Sequence, residues 1–174
     1  MQIMRISEKM ELALIDQIHL ELFSINQYLV MASYFLKDDL NGFANFFLVQ
    51  SQEENFHAMK EFKYLHDVGG SIKIHQIPAP ISNFHSIKHV FETSLMHEKK
   101  VTKSINNLIK LALEEGDFAT HTFLQWFITE QLEEEALIEN IIKKLDMIGD
   151  NSSALYLLND ELAKRTFNPT NNTP

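Results

Sequence analysis

Apolar residues recur at alternating spacings of four and three along four stretches of the chain, roughly 8–37, 42–68, 86–115 and 117–147. Each stretch is free of proline and almost free of glycine. That period predicts four long amphipathic helices. Their joints differ in kind. The first, Lys37 to Gly42, and the third, Gly116-Asp117, are short enough to make antiparallel neighbours. The second opens at Gly69-Gly70, is stiffened by Ile77-Pro78-Ala79-Pro80, and gives way to helix near Ser86. About seventeen extended residues reach roughly 50 Å, the length of a bundle. A short, long, short order of joints makes helices two and three parallel, the four-helix bundle with one long crossover. After Gly149, the run Asp150-Asn151-Ser152-Ser153 offers caps for a short fifth helix ending near Lys164. The expectation is an all-α fold, a single domain over 1–167 and a disordered tail over 168–174.

Composition narrows the partners. The 174 residues, at 20.2 kDa, are enough for one core. Five glycines and four prolines against 45% apolar residues suit long helices rather than sheets. A net charge of −9 argues against nucleic acid and against anionic membrane, and favours cations. The absence of cysteine removes disulfides, thiolate metal sites and iron–sulfur clusters. The charged start MQIMRISEKM does not read as a signal peptide, and no apolar run approaches membrane-spanning length, so a cytoplasmic protein is expected.

The informative anomaly is a set of acids on the apolar seams. Helix one carries Glu21 in the series Leu14, Ile18, Glu21, Ile25, Tyr28, Ala32, Phe35. Helix two places Glu54 on the stripe of Phe43, Phe47, Ala58 and Leu65, with His57 three residues on. Helix three has Glu98 within Phe91, Ser94, Val101 and Ile105, and helix four has Glu130 and Glu134 among Phe123, Phe127, Leu137 and Ile141, with Gln131 beside them. A lone buried carboxylate costs several kcal/mol or takes up a proton, so one on every helix implies a shared compensating charge. Depth agrees with this. Residues joined by an antiparallel turn lie level when their mean position falls at the turn. Glu21 and His57 average to 39, and Glu98 and Glu134 to 116. Each lies about 18 residues, or roughly 27 Å, from its turn. Carboxylates with one imidazole and no thiolate suit iron or manganese, and Glu54, lying between the two hairpins, is placed to bridge two metals. Its pairing with His57 is the i, i+3 arrangement of carboxylate di-iron bundles.

At these residues the chain resembles the non-haem bacterial ferritins, over nearly all of positions 8–165. The segments that carry the resemblance are LELFSINQYL (20–29), QEENFH (52–57), HEKK (97–100) and FLQWFITEQLEEE (123–135). The resemblance implies a ferritin-like bundle forming a hollow cage of twenty-four subunits, with residues 152–164 lining its fourfold axes. It implies a ferroxidase that oxidises Fe(II) with O₂ or H₂O₂ and stores the mineral. Glu21, Glu54 and His57 would hold one iron, and Glu54, Glu98 and Glu134 the other, with Gln131 beside the second. Glu53, Glu130, Glu133 and Glu134 would form a third iron site. Tyr28 would hydrogen-bond a ligand and supply an electron. A bacterioferritin would carry a second Glu-x-x-His on helix four, whereas this chain reads Glu130-Gln131-Leu132-Glu133-Glu134; Asn55 stands where that relative has its haem-ligating Met, so no haem is expected.

Blander readings stand beside these. Glu135 reads as a solvated helix face, Glu61 as a surface residue near a helix end, and His85 with His89 as a surface pair. Phe46, Phe47, Trp126 and Phe127 read as core or subunit-contact residues. The rival functions are a rubrerythrin- or oxygenase-like di-iron redox enzyme that does not store iron, a DNA-protecting mini-ferritin, and a purely structural bundle. The last would not place a carboxylate on all four seams.

Overall fold

The computed structural model describes residues 6–169, so of the tail over 168–174 only Asn168 and Pro169 lie within the described residues. Among these residues there are five helices and no strand: α1 (Glu8–Leu36), α2 (Asn41–Asp67), α3 (Ile87–Glu115), α4 (Phe118–Ile148) and α5 (Ser152–Leu162). All but one start at a polar cap. The side chains of Ser7, Ser86, Asp117 and Asn151 accept the backbone N–H of Met10, His89, Thr120 and Ala154. Gly116, with φ at 68°, and Gly149, at 52°, end α3 and α4 in a backbone region that side chains resist.

Helix α2 is the exception, because Leu40 has no side chain able to cap it. Its cap comes from α5. Asn159 Oδ1 accepts the N–H of Gly42 at 2.9 Å and of Phe43 at 3.1 Å, while Asn45 Nδ2 donates to the carbonyls of Leu162 and Arg165. Gly42 is therefore not the loop glycine that its place in the first joint suggests. It lies in the first turn of α2, where a Cβ would meet the Asn159 carbonyl oxygen at 1.6 Å. The absent side chain is what lets α5 dock.

The pairs α1–α2 and α3–α4 form the two hairpins. Between them the crossover climbs along α1. Glu11 accepts the Ser71 N–H, His19 Nε2 accepts the His75 N–H, Gln27 exchanges two hydrogen bonds with the Ile81 backbone, and Phe84 packs edge-on against Tyr34. From Glu11 to Tyr34, α1 rises about 35 Å. The crossover covers that span from Ser71 to Phe84 at about 2.7 Å per residue, an extended strap at roughly three-quarters of the chain's full reach. Helices α2 and α3 are thus parallel, as the joint lengths predict.

The core is cut in two. One apolar cluster gathers Phe35, Phe43, Phe46, Phe47 and Phe91 with Leu158 and Leu162 of α5. Its rings pack closely, with Phe35 stacked on Phe47 at 5.7 Å and Phe47 tilted against Phe91 at 5.0 Å. Each buried Phe contributes roughly 2–3 kcal/mol. The second cluster, with Leu14, Ile18, Leu65, Ile105, Leu124 and Phe127, fills the other end. Between them lies the polar layer.

Two seams run differently from the sequence pattern. On α1 the buried position is Ser24, not Ile25, which is half-buried; on α4 it is Gln131, not Glu130, which keeps 15% of its side-chain surface. Straight helices turn once per 3.6 residues, so a strict four-three seam drifts by a residue over 30. Glu61, read as a surface residue, is fully buried.

Candidate metal centre

Each of the four long helices delivers a carboxylate to the layer between the two apolar clusters. Glu21, Glu54, Glu98 and Glu134 are exposed by 0%, 1%, 0% and 6%, and His57 by 1%. One ligand atom from each of Glu21, Glu54 and His57 lies within 4.8 Å of the others, a spacing that a single cation spans. His57 Nδ1 sits 3.5 Å from Glu54 Oε2, and its Nε2 faces Glu130 Oε2 at 4.0 Å. The imidazole is held in place by aromatic edges, with Trp126 at 5.4 Å and Phe127 at 5.9 Å between ring centroids. Glu21 Oε2, both Glu54 oxygens and His57 Nε2 have no hydrogen-bond partner although they are buried. Native interiors leave few such atoms, and here they converge.

The second half of the layer is hydrogen-bonded. The Tyr28 hydroxyl donates to Glu98 Oε1, and Gln131 Nε2 donates to Glu98 Oε2 at 3.0 Å. Gln50 Nε2 donates to Glu134 Oε2 at 2.7 Å. These donors orient the carboxylates while each acid keeps an acceptor lone pair for a cation. Gln17 does the same for Glu21, with Nε2 at 2.7 Å from Oε1. Gln17 and Gln50 escape a reading that looks only for acids; their signal is an amide one turn from a seam carboxylate.

Burial and mutual repulsion govern the electrostatics of the layer. Burial, then the Glu54 charge, pushes the Glu21 carboxyl well above its usual range; burial and the Glu98 charge do so for Glu54. Glu98 rises to about 7 through burial and the charge of Glu134, against the hydrogen bonds from Tyr28 and Gln131. Burial also raises Glu130. A metal ion reverses this logic, since its charge makes the ionised carboxylates the stable form.

The residues outside this pair of half-sites are brought together less tightly. Glu53 is largely buried and accepts from Arg165 Nη2 at 2.6 Å, and it is raised to about 7 by burial and Glu134 despite that guanidinium. Arg165 also donates to the Phe46 carbonyl and stacks on its ring at 4.6 Å. Glu133 is exposed, though its charge is felt at Glu130. Arg165 was not foreseeable, because 112 residues separate it from Glu53 and only the docking of the C-terminal segment joins them.

The chain is similar to known proteins of one family. Residues 11–148 match the model of the ferritin-like domain. The bacterial non-heme ferritin of Staphylococcus aureus strain MRSA252 is 44% identical over 155 residues, covering 89% of this chain and 93% of that protein. Its counterpart from Staphylococcus epidermidis is 42% identical over 163 residues, covering 94% and 98%. Among solved structures, a ferritin of the hyperthermophilic archaeon Archaeoglobus fulgidus, described as open-pored, superposes with a TM-score of 0.92 at 45% identity, covering 94% of this chain and 100% of that one. An engineered closed form of that ferritin gives 0.92 at 46%, with 94% and 99% covered.

Proposed function

This chain belongs to the ferritin family, and from that membership we propose that it is an iron-storage subunit whose polar layer is a di-iron ferroxidase centre. The observation that carries the proposal is the convergence of unpartnered, buried oxygens and one imidazole nitrogen from Glu21, Glu54 and His57, next to the buried pair Glu98 and Glu134. Fe(II) is the substrate. Glu21, Glu54 and His57 hold one ion and Glu54, Glu98 and Glu134 the next, with Glu54 shared and Gln131 beside the second. Two Fe(II) each give one electron to O₂, which takes up two protons and leaves as H₂O₂, or to H₂O₂, which leaves as water. Pairing the ions avoids one-electron oxygen products, and the hard carboxylates favour the higher charge of Fe(III). Tyr28, whose hydroxyl donates to Glu98, orients that carboxylate toward the second ion. Glu53, Glu130, Glu133 and Glu134 are the candidate ligands of a third iron.

Storage requires an enclosure, and in this reading twenty-four copies form a cage in the cytoplasm. Several large apolar side chains stand in solvent in the single chain, among them Tyr156 and Leu157 on α5, each 69% exposed, which supports an assembly that covers them. No described helix is long and apolar enough to cross a membrane. A stopped-flow absorbance experiment tests the centre: Glu54→Ala combined with His57→Ala should abolish fast Fe(II) oxidation, and unchanged kinetics would place the site elsewhere. Native mass spectrometry with iron titration tests storage. A small species that never holds more than about two irons per chain is the result expected of a di-iron redox enzyme instead.

A further inference from the structure

Buried polar side chains recur on α1 at Gln17, Glu21, Ser24 and Tyr28, and on α2 at Gln50, Glu54, His57 and Glu61. Both helices repeat the same spacing of four, three and four. Because they run antiparallel about a turn centred on Asp39, itself at a positive φ of 55°, the members pair into level rungs equidistant from that residue. Equal distance from the turn puts Tyr28 level with Gln50, Ser24 with Glu54, Glu21 with His57, and Gln17 with Glu61. Successive rungs are about 5 Å apart.

Three rungs have an occupation. The Tyr28–Gln50 rung is spent on hydrogen bonds to Glu98 and Glu134. The next two carry the ligands proposed above, with Ser24 bonded to His97 Nε2 at 2.6 Å. The fourth rung has none. Gln17 Nε2 reaches Glu21, but Gln17 Oε1, Glu21 Oε2 and both oxygens of Glu61 are buried without a partner, on side chains that are each 0% exposed. Among the described residues no hydrogen bond joins Glu61 to a cation. The apolar cluster at this end takes Val101 and Ile105 from α3 and Leu124 and Phe127 from α4. Glu61 lies one rung beyond Glu21 and feels its charge.

A carboxylate of this kind, two turns along α2 from Glu54 and in an apolar surround, costs several kcal/mol unless something compensates it. Gln17 and Glu61 of the fourth rung offer three open oxygens, Glu21 of the third adds one more, and this all-oxygen set is hard, with two carboxylates that balance one divalent charge. We propose that Gln17, Glu21 and Glu61 form a further divalent-cation position inside the bundle, distinct from the Glu53, Glu130, Glu133 and Glu134 set. It rests on the reading of Glu21 as a metal ligand, since that carboxylate is shared between the new position and the di-iron centre. A cation held there stands about one helical turn from the oxidation centre, close enough to be handed across Glu21.

Zinc is the probe, because it has no redox chemistry. Crystals of the assembled, metal-stripped protein soaked in Zn(II) should show anomalous density between Gln17, Glu21 and Glu61 as well as at Glu21, Glu54 and His57. Glu61→Leu should lose the first peak, keep the second, and bind one Zn(II) fewer per chain in equilibrium dialysis. Density at Glu54 and His57 with none at Glu61 overturns this proposal and leaves the di-iron reading standing; density at neither overturns both. Zinc should also raise the melting temperature of the native protein more than that of the variant. Equal shifts mean that Glu61 is only a neutral buried acid, which likewise overturns the proposal. Glu61→Gln, which preserves volume, carries the same measurements if the leucine variant fails to assemble.

Discussion

On the proposed function, loading the polar layer with metal must expel protons, and the number is set by the buried acids. In the metal-free protein Glu98 holds its proton up to about pH 7 because burial and Glu134 disfavour its charge. At pH 6 roughly nine-tenths of the Glu98 carboxyls are protonated and at pH 8 roughly one-tenth, so this residue alone releases nearly one proton on metal binding at the lower pH and little at the higher. Glu21 and Glu54, also raised, add to the release. Metal affinity should therefore fall by at least about tenfold per pH unit below 7. Calorimetric Zn(II) titration in two buffers of different ionisation enthalpy counts the protons. We expect more released at pH 6 than at pH 8, and Glu98→Gln to remove close to one at pH 6. No release at pH 6, or an unchanged count in the variant, would refute the reasoning. The same shift has a stability sign. A carboxyl whose pKa is raised on folding keeps a proton that the unfolded chain has already lost, so the metal-free fold is most stable at the acidic side and weakens as pH rises from about 4.5 to about 7. Glu98, fully buried, accounts for about 3 kcal/mol of that loss. Chemical denaturation at pH 5 and pH 7.5 reads it, and bound metal should reverse it.

Other substitutions separate the parts. Tyr28→Phe removes the hydrogen bond that opposes the upward shift of Glu98, so the pH midpoint of metal binding should move higher, measured in the same titrations; an unmoved midpoint would mean the phenol does not support that carboxylate. Gly42→Ala puts a methyl group onto the Asn159 carbonyl and should displace α5, at a cost on the order of 1–3 kcal/mol, visible as a lower melting temperature and as faster amide exchange at Gly42 and Phe43; retained protection there would refute the cap. Phe91→Ala, at the centre of the aromatic cluster, should destabilise by about 3–5 kcal/mol in denaturant melts, and a loss under about 1 kcal/mol would mean the cluster is loosely packed.

Periodicity alone placed the four long helices within a residue or so of their observed ends, because a core-facing stripe, polar caps and the helix-ending glycines Gly116 and Gly149 are local signals. The joint lengths went further and set the connectivity, since a turn of a few residues admits only antiparallel neighbours while a strap able to span the bundle admits a parallel one. The acids were legible for a related reason: a carboxylate on an apolar seam is costly, and two helices joined by a tight turn must bring equidistant residues level. Tertiary packing decided what those rules leave open. Whether Gln131 or Glu130 faces inward depends on the exact helical twist against α3. That Glu53 meets Arg165, and that Asn159 caps α2 over Gly42, depends on where the C-terminal segment docks. Glu61 looked like surface because it lies near a helix end, and the bundle buries that end. The sequence determined the helices, their order and the level at which four acids meet. The structure determined which oxygens of that layer are satisfied and which are left open, because hydrogen bonding depends on distances between residues far apart in the chain.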